Sequence, residues 1–161
     1  MSDSVEDVEH EPPEGPPPYD PSAVGRVARC IEIRNVELVH AHFERRDDEP
    51  LPTNHDGSEG TPEVLLDIVW DMDRDRRHLG YLLRFGVQET EPEFRLFAFF
   101  RLTYELIRDD ELHNEDLEQF GYWNAVFNGW PYFREYVSST IDRAGLPHVV
   151  LPVMRVPRRD A

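Results

Sequence analysis

The stretch FNGWPYFREYVSSTIDRAGLPHVVLPV, residues Phe127 to Val153, carries the densest run of structural signals in the chain. Apolar side chains at Trp130, Phe133, Val137 and Ile141 recur at helical spacing and form one stripe. Pro131 fits a first helical turn, where its missing N–H has no partner to lose. Gly145 supplies a left-handed stop, Arg143 complements the negative end of the dipole, and Pro147 forbids continuation. The remaining segments read as something for this stripe to pack against.

Upstream, Asn114 followed by Glu115 and Asp116 predicts a helix start, with Asn114 as N-cap. Leu117, Phe120, Trp123 and Phe127 continue at helical spacing to Asn128-Gly129, so Pro131 is expected to kink or break the rod into two helices.

Four strands precede the helices. Ile31, Ile33, Val36, Leu38, Ala41 and Phe43 alternate over Cys30 to Glu44, with phase slips near Asn35 and at Val39 that predict a bulge. Val64, Leu66, Ile68, Trp70 and Met72 alternate with acids over Glu63 to Asp73, which predicts one buried and one wet face. Leu79 to Val87 and Phe94 to Leu106 repeat the pattern, and the short links MDRDRRH and QETEPE predict antiparallel hairpins. Phe97 and Phe99 stand between Arg95 and Arg101 on the other face of the last strand, as a contact surface or the floor of a second layer. The fold class is therefore α+β: a four-stranded antiparallel sheet with a long broken helix packed on one face. One sheet and one helix cover few of the aromatics present, which predicts an oligomer.

With 161 residues, one domain is the expectation. It is placed at residues 26–156, after a disordered acidic, proline-rich tail over 1–25 and before a short tail over 157–161. The run PPEGPPPYDP also favours polyproline II. Residues 45–62 read as a long loop. The 17 Lys plus Arg against 33 Asp plus Glu give a net charge of −16, which disfavours nucleic acid or an anionic membrane as partner. A single cysteine, Cys30, with neither leader nor apolar span of membrane length, points to a soluble cytoplasmic protein with no disulfide and no membrane insertion.

No catalytic constellation emerges. Asp71, Asp73 and Asp75 begin like a calcium loop, but Arg76 replaces the turn glycine and Leu82 the closing acid. His40 and His42 share one strand face and would need Glu44 or His78 as a third metal ligand. No phosphate loop or nucleophile elbow is present. The expectation is neither an enzyme nor a metal or cofactor protein.

The same helix and its continuation resemble the SecB protein-export chaperone family. Pro131, Tyr132, Arg134, Glu135, Ser139, Arg143, Pro147 and Leu151 fall where that family's pattern has Pro-Tyr, Arg-Glu, Ser, Arg, Pro and Leu. Pro62-Glu63-Val64 and Leu66-Asp67 resemble its start of the second strand, and the resemblance spans roughly Cys30 to Met154. It implies a homotetramer, a dimer of dimers, that holds unfolded polypeptides or preproteins in apolar grooves without nucleotide.

On that resemblance Leu51, Trp123, Phe127, Trp130 and Tyr132 are the candidate client-binding residues, ordinary packing being the alternative for the four aromatics. His40, Glu44, Phe97 and Phe99 mark a candidate partner-binding sheet face. Only Glu44 matches the acids that dock the SecA motor in the family, and His40 and Phe99 stand where acids are expected. Gly60 replaces an expected aromatic, and the expected C-terminal helix has no counterpart before Ala161, which predicts a more open groove. A dedicated chaperone of a toxin–antitoxin module, a structural subunit and a small ligand-binding domain or enzyme are the alternatives.

Overall fold

A computed structural model of the chain describes residues 16–45, 63–90, 93–108 and 110–154. Four strands, β1 (Ile31–Arg45), β2 (Glu63–Asp73), β3 (His78–Thr90) and β4 (Glu93–Leu106), form one sheet in the order β1-β4-β3-β2. All neighbours are antiparallel, so β2, β3 and β4 are successive hairpins and β1 closes onto the free edge of β4.

Alternation sets the faces. On β3, Leu79, Tyr81, Leu83, Phe85 and Val87 are buried, and on β4 the residues from Phe94 to Leu106 at every second position are buried with them. The β1–β4 register slips at Arg34 and at Val39, the two places where the apolar alternation changes phase. On β2 the wet face is less polar than its acids suggest: Leu65 and Val69 are exposed there, Val69 by 65%.

The helical layer is one run in three parts: α2 (Asn114–Phe120), a π-helical turn (Gly121–Ala125) and α3 (Val126–Arg143). The start lies one residue earlier than predicted, with His113 in the cap position and its backbone N–H bonded to the Asp116 carboxylate at 3.3 Å. The expected break at Pro131 does not occur. Pro131 lies inside α3. Its lost hydrogen bond would have gone to the carbonyl of Phe127, and both residues are exposed, so water can serve that carbonyl instead. The irregularity falls at the π turn, where a Cβ on residue 121 would lie 2.8 Å from the Tyr81 ring. Gly129, eight positions on, gives the same closeness over Leu83.

Trp130, Phe133, Val137 and Ile141 are all buried against the sheet. Phe133 stacks on Phe85 with centroids 4.9 Å apart and planes 19° apart. Each such buried aromatic stabilises by about 1.5–3 kcal/mol. Two tyrosines also bolt the layers together: Tyr81 Oη donates to the Leu117 carbonyl at 2.7 Å, and Asn128 Nδ2 donates to Tyr104 Oη at 3.0 Å. Burial raises both phenols, Tyr104 to about 12 and Tyr81 further. The run ends as predicted at Gly145, whose φ of 66° is the left-handed stop.

The N-terminal boundary needs correction. Residues 21–28 form a helix, α1 (Pro21–Ala28), with Ala23 and Val27 buried. The signal was present in Asp20-Pro21-Ser22: the Asp20 carboxylate accepts from the Ser22 N–H at 2.8 Å, and Pro21 occupies the first helical position. Of the tail expected over 1–25, residues 1–15 lie outside the described residues, as does the tail expected over 157–161.

Candidate functional site

Helix α2 and the π turn carry a part of the chain that was expected to belong to the disordered tail. The extended stretch Pro16–Asp20 lies across them. Trp123 Nε1 donates to the Pro17 carbonyl at 3.1 Å and Gln119 Nε2 to the Pro18 carbonyl at 2.7 Å. Gln119 Oε1 accepts from the Asp20 backbone N–H at 3.0 Å, and the Tyr19 ring meets the Trp123 ring edge-on at 5.5 Å. One glutamine thus reads two backbone groups of the strap.

The strap is anchored beyond its end. Arg26 on α1 reaches Asp116 through Nε at 3.1 Å and Nη2 at 2.5 Å. Asp116 is the one buried charged side chain among the described residues. Hydrogen bonding from Arg26 holds its carboxyl below the usual range, and the same bond raises the guanidinium. Cys30 lies nearby, its thiol donating to the Arg26 carbonyl at 3.2 Å, and burial pushes it up.

Further along the run, Trp130 repeats the indole contact. Its Nε1 donates to the Pro152 carbonyl at 3.0 Å, which holds the extended segment 146–154 against α3. Leu146 and Leu151 of that segment are buried, while Val150 and Val153 stay exposed. A shallow cleft of about 340 Å³ runs between it and α3, lined by Pro131, Arg134, Ser138, His148 and Val150 among others.

The predicted client-binding residues therefore separate. Trp130 is 4% exposed, packed against the stacked Phe85–Phe133 pair at 5.6 Å from each ring, and belongs to the core. Trp123 is half-buried under the strap. Phe127 and Tyr132 remain open, 47% and 50% exposed. Tyr132 lies 6.4 Å from Phe100, whose partner on β1, Leu38, is also exposed, so an apolar strip continues from helix to sheet edge. Leu51 lies outside the described residues.

On the opposite face of the sheet, His40, Glu44, Phe97 and Phe99 come together as neighbours on β1 and β4. The Arg84 guanidinium covers Phe97 at 5.0 Å and Phe99 at 5.8 Å while pairing with Asp67 at 3.1 Å, and His40 packs edge-on against Phe99. His42 lies 3.7 Å from Glu44, but His78 is engaged by Asp71 on another part of the sheet. Among the described residues no three metal-ligating groups converge.

The fold as a whole is similar to that of a solved structure. The SecB-like chaperone Rv1957 of Mycobacterium tuberculosis, in complex with a ChAD peptide from the Rv1956 HigA1 antitoxin, superposes with a TM-score of 0.70. The match covers 83% of this chain and 94% of that one at 17% identity. This is a SecB-like fold. A protein of unknown function from Streptococcus agalactiae matches at a TM-score of 0.43 and 10% identity, over 76% of this chain and 96% of that one. No protein-family model matches the sequence, and no curated protein matches it. Among the described residues no helix is long and apolar enough to cross a membrane.

Sequence reasoning missed Pro17, Pro18, Gln119, Arg26 and Asp116 on this SecB-like frame. The run PPEGPPPYDP and the acids after Asn114 gave local signals of conformation but not of partner, because the contacts join segments about a hundred residues apart.

Proposed function

We propose that the protein is a SecB-like holdase that binds non-native polypeptides in extended form, without nucleotide or metal, on the helical face of the fold. The observation that carries this reading is the pair of indoles: Trp123 and Trp130 each hold an extended, proline-bearing stretch by its backbone carbonyl. Contacts to a carbonyl are indifferent to side-chain identity. A receptor of unfolded chains needs that tolerance, together with exposed apolar side chains such as Phe127, Tyr132 and Leu38. The net charge of −16 keeps such a surface soluble.

Half-exposed apolar residues on both edge strands, Ile33 and Leu38 on β1 and Leu65 and Val69 on β2, support assembly of several copies, with a homotetramer as the form proposed. The location proposed is the cytoplasm. Titration calorimetry with one client in its reduced, unfolded form and in its folded form tests the reading. Heat of binding with the unfolded form alone supports it, and equal binding of both forms contradicts it.

A second reading is a chaperone dedicated to one client, such as an antitoxin. The complex of the similar structure with an antitoxin peptide favours it, and so does the Phe97–Phe99 face under Arg84, which offers aromatics where a motor-docking surface would offer acids. Docking to a SecA-type motor is not part of the proposal.

A further inference from the structure

The strap contact has a chemistry more specific than tolerance of unfolded chains. Pro16, Pro17 and Pro18 fix φ near the polyproline II value and leave their carbonyls without internal partners. Two of those carbonyls, adjacent in the chain, are taken by Trp123 and Gln119, and the N–H of Asp20, two residues beyond Pro18, returns to the same glutamine. The Tyr19 ring closes the contact against the indole. An aromatic ring with an N–H beside a carboxamide is the equipment by which proline-rich strands are recognised, because the strand arrives already extended and pays little to be ordered.

We infer that Gln119 and Trp123 form a binding site for proline-rich extended segments of other polypeptides, filled in cis by Pro16–Tyr19. The inference rests on the reading of the helical face as a receptor of extended chain, and it names one ligand class and one regulator of that face. Phe127 lies one turn beyond Trp123, so a strand leaving this site runs onto the open aromatic. A tethered strap acts at an effective concentration on the order of millimolar, so an incoming segment competes only weakly until the strap is released. Arg26 and Asp116 keep α1 docked when the strap lifts, which makes release local.

The test uses the full chain and a fluorescein-labelled peptide of residues 11–20, EPPEGPPPYD, read by anisotropy. Pro17→Gly with Tyr19→Ala releases the strap, and the peptide is expected to bind this variant about tenfold more tightly than the unaltered chain. Adding Trp123→Phe, which keeps a ring and removes the donor, is expected to abolish the gain. Equal binding by the unaltered and released chains, or a gain that survives Trp123→Phe, overturns the inference. If the released variant does not fold, the site is read from the other side: Gln119→Met in the otherwise unaltered chain speeds hydrogen exchange of the Asp20 amide, and unchanged exchange overturns the inference. Aggregation suppression by the released variant separates the two readings. Peptide binding without suppression overturns the holdase function and leaves the site standing, whereas suppression without peptide binding does the reverse.

Discussion

Arg26 grips Asp116 with two nitrogens, at 3.1 and 2.5 Å, and in doing so fastens α1 to the first turn of α2 across 90 residues of sequence. Asp116 has a second tie, to the His113 N–H, so its charge is satisfied where it is buried.

The bond from Arg26 sets a pH dependence. The Asp116 carboxyl lies below its ordinary value because Arg26 bonds the ionised form, so its contribution to stability is fully present above the unfolded carboxylate value of about 4. It is lost as pH falls through the folded value. Urea unfolding of the protein and of Asp116→Asn is expected to show a stability gap at pH 7 that closes progressively below about pH 4. A gap independent of pH would assign the difference to packing.

Two aromatics three residues apart should behave oppositely. Trp130→Ala empties a site walled by Phe85 and Phe133 and is expected to cost about 3–5 kcal/mol in chemical denaturation. Phe127→Ala removes an exposed ring and is expected to shift stability by less than about 0.5 kcal/mol. It should nonetheless weaken capture of an unfolded client, by less than about tenfold, since many shallow contacts share the affinity.

Pro131 is carried by α3 at the cost of one backbone bond on the exposed side. Pro131→Ala restores the donor to the Phe127 carbonyl and is expected to raise stability, by about 1–3 kcal/mol. A melting temperature that falls instead would mean that the proline ring itself packs in the cleft it lines with His148 and Val150.

Strand limits were legible because alternation is a local signal. Val64 to Met72 puts every second side chain on one face, and even the two bulges of β1 appear as phase changes at Asn35 and Val39. The π turn was not legible, since it depends on the Tyr81 ring lying against Gly121, 40 positions away in the chain. Pro131 was misread for the same reason: whether a proline breaks a helix turns on which side of the helix meets water. Among the candidate aromatics, helical spacing alone did not separate the exposed Phe127 and Tyr132 from the buried Trp130, because they differ in what covers them. Pro17 holds its partner from 106 residues away, beyond the reach of any periodicity.

Capture of unfolded polypeptide without nucleotide is the activity proposed for this protein. The most direct measurement is light scattering from a chemically unfolded client diluted into the purified protein at stoichiometric amounts, with an inert acidic protein as control. Suppression of scattering by the protein and not by the control is the predicted result, unchanged by added ATP. Aggregation at the control rate in the presence of the well-folded protein would contradict the claim of a general holdase.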